Sequence, residues 1–240
     1  MHLPTLRQTT AFLRTTPLHP QWLLGHKHSS GKWISKHANG VVLDIGCADR
    51  WIERFLPHGS TYIGLDYPAT GKELYRARPD VFADASLLPL MDSSVDTVVI
   101  LEVLEHLRYP TDALRETARV LRSHGRILLT MPFLYPIHDA PHDYQRLTKH
   151  GLIRDIEAVG LHVDSLSPTL TSMESAGLLA CLAMGGSAMH AVRLRSWTIF
   201  LVPLLLVAIP VVNLLAWLGG RVFPSWGAIT SGYRLVASIR

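Results

Sequence analysis

Apolar residues are spaced in two ways along residues 41–166. Some form short unbroken runs, as in Val41-Val42-Leu43, Tyr62-Ile63-Gly64-Leu65 and Val98-Val99-Ile100-Leu101. Runs of that length, apolar on both faces, read as buried parallel strands. Others recur at helical spacing, as Leu114, Ala118 and Leu121 do. Strands are expected at 41–45, 62–65, 81–84, 94–101, 126–131 and 161–166, and helices at 50–56, 111–121 and 149–159. For the 111–121 helix, Thr111 is the expected N-cap, Asp112 meets the dipole in the first turn, and Gly125 supplies a left-handed stop. Gly160 is expected to end the helix before it. The βαβα rhythm predicts an α/β fold, a parallel sheet with helices on both faces.

Both ends of the chain depart from this rhythm. Residues 1–19 read as a loose arm, and 21–37 as a basic, broken helix over the ligand cleft, carrying Trp22, Leu23, Trp33 and Ile34. Its His26, His28 and His37 have no carboxylate cluster beside them and read as surface histidines. After Pro168, residues 175–192 are small and apolar, and 197–218 contain no charge over 22 residues, enough to span a bilayer. Arg193 and Arg195 flank one end and Arg221 the other, with Trp197 and Trp217 at interfacial positions. Pro203 and Pro210 are expected to kink this segment. Pro224 and Gly227 break the chain again, and the alternation over 229–239 reads as a last strand.

Composition sharpens the contrast. The chain is 48% hydrophobic and 18% charged, against roughly 25% charged in average usage. Its net charge of +4 hides an asymmetry. Residues 1–36 and 176–240 carry five Lys/Arg each and no acid, whereas 37–175 hold 13 basic and all 19 acidic residues. Basic ends suit an anionic surface. A membrane surface is preferred and no nucleic-acid partner is expected, because zinc-ribbon, basic-zipper and aromatic RNA-binding patterns are missing. Two cysteines, Cys47 and Cys181, lack CxxC spacing and argue against a disulfide framework or a zinc site. Pro4, Pro17 and Pro20 interrupt any secretory pattern, so the catalytic part is expected in the cytoplasm.

The candidate chemistry sits at the ends of the first two strands. Val41-Val42-Leu43-Asp44-Ile45-Gly46-Cys47 delivers an acid, a glycine and a small residue, and the second run ends in Asp66. A P-loop is absent, and of a dinucleotide fingerprint only Gly46 is present. Without phosphate-cradling glycines, a ligand with an amine and a ribose fits two strand-tip acids better.

In these motifs residues 41–167 resemble a class I S-adenosylmethionine (SAM)-dependent methyltransferase of the small bacterial, methyltransferase-11-like type. Leu43-Asp44-Ile45-Gly46-Cys47 resembles the glycine-rich first motif and Ile63-Gly64-Leu65-Asp66 the second strand with its ribose-binding acid. Asp84-Ala85-Ser86-Leu87-Leu88-Pro89 resembles the adenine-side segment, Glu102-Val103-Leu104-Glu105-His106 the tip of strand four, and Arg119-Val120-Leu121-Arg122-Ser123-His124-Gly125 the "R-V-L-x-P-G-G" turn. The resemblance implies SAM as cofactor, held by Asp44, Gly46, Cys47, Ala48, Asp66, Tyr67, Asp84, Ala85 and Glu102. It departs from the family pattern at Ala48, where a glycine is usual, and at Arg50; alanine is the costlier residue at positive φ.

The acceptor side follows strand five, in the run from Pro132-Phe133 through His138-Asp139-Ala140-Pro141-His142-Asp143-Tyr144-Gln145-Arg146-Leu147-Thr148. Methyl transfer from a sulfonium mainly needs alignment, and an oxygen or nitrogen acceptor also needs a base, which His beside Asp supplies near neutral pH. His138, His142 and Asp143 are the catalytic candidates; His106, Tyr144 and Arg146 are the substrate-binding ones. The His-Asp spacing also suits a metal, but spacing alone is a weak signal and no metal is expected.

The family's seventh strand runs antiparallel beside the fifth and often ends "G-Y-x-x-x-A"; Gly232-Tyr233-Arg234-Leu235-Val236-Ala237 resembles it. The resemblance therefore implies a Rossmann-like sheet of seven strands, with the apolar region inserted between strands six and seven. Both ends of such an insertion lie on one side of a membrane, so a helical hairpin fits better than one span. The expected organisation is a basic arm and cap helix at 1–38, a SAM-binding core at 39–168, a membrane-associating apolar hairpin at 169–228 and a returning strand at 229–240. The expected function is methyl transfer to a small-molecule or lipid-linked acceptor at the cytoplasmic face of a membrane. The alternative is a non-catalytic SAM binder whose apolar hairpin forms a homodimer interface.

Overall fold

The computed structural model describes residues 11–25, 27–71 and 77–239. Residues 1–10 of the arm expected at 1–19, and the histidine at 26, lie outside the described residues, and Ala11–Thr15 form a 3-10 turn. The chain divides into two compact units. One holds residues 27–133, 137–167 and 232–240; the other holds 1–26, 134–136 and 168–231.

The first unit is built on a seven-stranded sheet: β1 (Val41–Ile45), β2 (Thr61–Asp66), β3 (Val81–Phe82), β4 (Val95–Leu101), β5 (Leu121–Pro132), β6 (His162–Pro168) and β7 (Gly232–Ser238). The spatial order is β3-β2-β1-β4-β5-β7-β6. β1 pairs parallel with both β2 and β4, and β4 pairs parallel with β5. β7 is antiparallel to β5, with Leu128 opposite Val236. Strand order reverses between β1 and β4, which opens a crevice at their carboxyl ends.

The unbroken apolar runs are explained by burial on both faces. Leu43, Ile45, Val98, Ile100, Ile127 and Leu129 point to one core with Leu114, Leu152 and Ile156. Val42, Val99, Leu128 and Val236 point the other way, to Ile34 and Ala38. Ile34 comes from α1 (Lys27–His37), Leu114 from α2 (Pro110–Val120), and Leu152 with Ile156 from α3 (Lys149–Glu157). Thr148 caps α3, its hydroxyl accepting from the Gly151 N–H at 3.2 Å, and Gly160 beyond it has φ 83°.

Three local expectations are corrected. Residues 50–56 contain only a 3-10 turn, Glu53–Phe55, because Arg50 sits at φ 56° and a left-handed residue interrupts helical bonding. Thr111 does not cap α2; the helix starts one residue earlier, with Pro110 in its first turn, where its missing N–H costs nothing. The left-handed residue after α2 is His124, at φ 65°, rather than Gly125. Gly125 is required for space instead, since a Cβ there would lie 2.8 Å from the Arg122 carbonyl oxygen.

The second unit is a pair of long helices, α4 (Ser172–Arg193) and α5 (Val202–Val222). Thr171 and Glu174 form a capping box at the start of α4. Contacts of Met173 with Gly219, Gly177 with Ala216 and Cys181 with Asn213 run in opposite directions, so the helices are antiparallel. A Cβ on Gly177 would fall 2.3 Å from that of Ala216, so glycine sets the approach of the two backbones. Asn213, fully buried, donates to the carbonyls of Pro17 (2.7 Å) and His19 (3.0 Å), tying the segment before α1 to the pair. Pro203 lies in the first turn of α5 and breaks no bond; Pro210 alone is interior. Outward faces carry Trp197, Phe200, Leu204, Val207, Leu215 and Leu218, all exposed. Both segments, 172–193 and 197–222, are long and apolar enough to cross a membrane, with mean hydropathy 1.4 and 2.7 over an 18-residue window in each.

Candidate active site

A cavity of about 560 Å³ opens at the carboxyl ends of β1, β2 and β4, within the range of small-molecule sites. Of the residues singled out from sequence, Gly46, Ala48, Asp66, Tyr67, Asp84, Ala85, Glu102, His106, His142 and Tyr144 line it. Asp44, Cys47, His138, Asp143 and Arg146 stand outside its lining.

The loop after β1 is shaped by its backbone. Gly46 has φ 76°, and a Cβ there would sit 2.4 Å from Val103 Cγ2. The next loop positions are left-handed too, Ala48 at φ 45° and Arg50 at φ 56°, where an L side chain is strained. Partners hold them in place. The Ala48 N–H donates to Asp66 Oδ2 at 2.9 Å. Arg50 reaches Asp80 at 2.8 Å and Glu53 at 3.1 Å, and lies 4.6 Å over the Tyr62 ring. Asp80 in turn accepts from the Gly64 N–H at 2.7 Å.

Asp66 and Asp44 differ in surroundings. Asp66 accepts one backbone N–H on each oxygen, from Ala48 and from Tyr67, and burial raises its pKa against those bonds. Asp44 is buried beneath the loop and accepts from the Tyr62 hydroxyl at 2.7 Å. Burial pushes its carboxyl up to about 7, partly opposed by Tyr62. Cys47 is buried, and its thiol is pushed up to about 12, mainly by burial. Such a thiol is a small apolar filler.

On the acceptor side, the loop after β5 folds over the tip of β4. The Asp143 carboxylate is gripped by Arg146, with Nη2 donating at 2.7 Å, and accepts from the His138 N–H at 2.9 Å. Arg146 beside it holds the Asp143 carboxyl down at about 2. His138 Nδ1 faces the same carboxylate at 3.3 Å. His106 Nδ1 donates to the His142 carbonyl at 2.7 Å. Gln145 donates to the Leu104 and Leu107 carbonyls, and the Tyr144 N–H donates to the Glu105 carbonyl. The Arg108 Nε donates to the Tyr144 hydroxyl at 3.3 Å.

Sequence reasoning missed the importance of Glu105. It is fully buried, and neither carboxylate oxygen has a hydrogen-bond partner. Burial, followed by the charge of Glu102, pushes its pKa well above the usual range. Glu102, at φ 54°, is also raised by burial. The pairing of Tyr62 with Asp44 escaped notice too; only the 18-residue separation of two strand positions connects them.

The donor set suits SAM: acids at two neighbouring strand tips, a glycine whose Cβ position is closed, and no phosphate cradle. Comparison with known proteins agrees. A family model described as a methyltransferase domain matches residues 43–129. A probable S-adenosylmethionine-dependent methyltransferase of Mycolicibacterium smegmatis is 31% identical over 182 residues, covering 71% of this chain and 70% of that one. A similarly named protein of Mycobacterium tuberculosis is 36% identical over 96 residues, 38% of this chain and 35% of the other. A SAM-dependent methyltransferase of Archaeoglobus fulgidus has the same fold, with TM-score 0.55 at 16% identity over 96% of this chain and 99% of that one. The [4+2]-cyclase SpnF also shares it, with TM-score 0.54 at 15% identity over 88% and 80% of the chains, so the fold alone does not name the reaction. The matched motifs and the Mycolicibacterium relative do: this chain belongs to the class I SAM-dependent methyltransferases.

Proposed function

We propose that this methyltransferase acts on an oxygen, nitrogen or carbon nucleophile of an amphiphilic envelope molecule, such as a lipid-linked sugar or a quinone-type precursor, at the cytoplasmic face of a membrane. The observation that carries this reading is the α4–α5 pair. It enters the chain after β6 and leaves it before β7, and its outer faces are apolar and exposed from Trp197 to Val222. Only 17% of the more apolar window is buried, and exposed apolar area on this scale marks a membrane or protein partner. Arg193 and Arg195 flank one end without a neighbouring acid in sequence, as suits anionic headgroups, while Arg221 at the other lies 3.6 Å from Glu174.

SAM, when bound, supplies a methyl group on a sulfonium sulfur. Asp66, with Tyr67 beside it, would hold the ribose hydroxyls, and Asp84 with Ala85 the adenine side. Gly46 and Ala48 leave room for the methionine part, with Glu102 at the cavity floor. Asp44 and Cys47 act from below, Asp44 by anchoring the loop through Tyr62 and Cys47 by filling space. His142, on the cavity wall, would receive the proton that an oxygen or nitrogen acceptor loses on methylation. Tyr144 frames the acceptor. His138, Asp143 and Arg146 position this loop from outside the cavity.

Fractionation of cells expressing the full chain tests the membrane reading. The protein is expected with the membranes, released by detergent and not by salt. Recovery in the soluble fraction as a monodisperse dimer would contradict it and favour the apolar faces as a homodimer interface.

A further inference from the structure

Three ligand-type atoms converge beside the cavity. The Nε2 atoms of His106 and His138 lie 3.7 and 3.8 Å from Glu105 Oε1, and one ligand atom from each residue falls within 4.8 Å of the others. These distances are too long for hydrogen bonds. They are close to what a shared ion requires, since bonds of about 2.0–2.2 Å in a tetrahedral site put ligand atoms about 3.3–3.6 Å apart.

The orientation of each group is set from behind. The His106 Nδ1 bond to the His142 carbonyl makes that nitrogen the donor, so the Nε2 turned toward Glu105 carries a lone pair. His138 Nδ1 lies between the Asp143 carboxylate at 3.3 Å and Arg146 Nη2 at 3.5 Å, and in the tautomer with the proton on Nδ1, directed at Asp143, its Nε2 carries the lone pair. A carboxylate or carbonyl behind an imidazole is the usual support of a metal-binding histidine. Glu105 is the decisive group. A fully buried carboxyl group whose oxygens have no hydrogen-bond donor is costly in an apolar interior, and a bound cation would satisfy it. Glu102, three residues earlier, adds a second carboxyl at the cavity lining.

We infer that Glu105, His106 and His138 bind a divalent first-row transition-metal ion. Two imidazoles and one carboxylate favour zinc, iron(II), cobalt or manganese over magnesium and calcium. Three protein ligands leave coordination positions open, and His106 lines the cavity, so those positions are offered to an oxygen donor of the acceptor. A hydroxyl so held is a better nucleophile because the ion lowers its pKa. This substrate clause rests on the methyl-transfer reading; the metal site itself does not.

The test uses the full chain purified in detergent and stripped with chelator, then titrated with Co²⁺ alone while visible absorption is followed. Calorimetric titration with SAM is run on the same samples. Saturation at one Co²⁺ per chain, with ligand-field absorption of a low-coordinate site, is the expected result. Glu105→Gln and His138→Ala should each weaken cobalt binding more than a hundredfold while SAM still binds. Asp143→Asn, which removes only support from behind, should weaken it by about 10–100-fold. Because Glu105→Gln keeps the side chain's shape, its SAM isotherm reports whether the fold survives. No saturable cobalt binding, or binding unchanged by Glu105→Gln and His138→Ala, overturns the site. Loss of SAM binding in the unaltered chain would instead strike at the methyltransferase reading and leave the metal result standing.

Discussion

Asp44 shows how one side chain sets a measurable property of the whole protein. Its folded pKa, about 7, lies well above its unfolded value because burial disfavours the charge. For a raised acid the sign is fixed: its contribution is intact below the unfolded pKa near 3.9, and stability falls as pH climbs toward 7. The loss is on the order of 4 kcal/mol across that window. Asp44→Asn keeps an acceptor for the Tyr62 hydroxyl and cannot ionise. In the SAM-free protein it is expected to melt higher than the parent at pH 8 and to match it near pH 4; an unchanged difference between the two pH values would refute the burial argument. Gly46 offers a second test at this scale. Gly46→Ala places a Cβ 2.4 Å from Val103 at φ 76°, and positive φ alone costs about 1–2 kcal/mol. SAM affinity by calorimetry should fall about tenfold or more; an unchanged Kd would mean the loop does not carry the cofactor. That Asp44, Gly46 and Asp66 sit at strand tips was legible from sequence because strand-tip residues keep fixed spacing, although Asp44 stands outside the cavity. The Glu105–His106–His138 convergence was not, because it depends on how a loop some thirty residues later folds back.

At the scale of elements, burial on both faces made β1, β4 and β5 readable, since a strand covered twice has no polar alternation to obscure it. The errors fall where a single backbone angle decides. Arg50 at φ 56° cancels a helix that the apolar spacing of 51–56 suggests, and nothing in that spacing reports the angle. The α4–α5 pair offers a matched comparison. Gly177→Ala would drive a Cβ to 2.3 Å from Ala216, whereas Gly186 has nothing within 4 Å of its Cβ position. Overpacking costs about 1–3 kcal/mol, and replacing an open helical glycine by alanine gains up to about 1 kcal/mol. Thermal unfolding in detergent should therefore shift down for Gly177→Ala and up for Gly186→Ala; equal shifts of one sign would dismiss the close approach of the two helices.

At the scale of the whole molecule, the chain leaves the methyltransferase sheet after Ser167 for the pair of apolar helices and returns to it at Gly232. β7 completes the sheet only after that excursion, pairing with β5 from Arg126 to Pro132. The antiparallel last strand was readable through its Gly-Tyr-x-x-x-Ala ending, and it turned a lone apolar segment into an insertion with both ends on one side. What the sequence left open was which hydrophobic residues face outward, since neither helix is polar on any side. The fold and cofactor class stand on the family; the acceptor is the account's own claim. Transfer of a labelled methyl group from SAM to a total lipid and glycan extract tests it most directly. Label is expected in an organic-phase product with the unaltered chain and not with Asp66→Ala. Label confined to water-soluble small molecules, or equal labelling by Asp66→Ala, would contradict it.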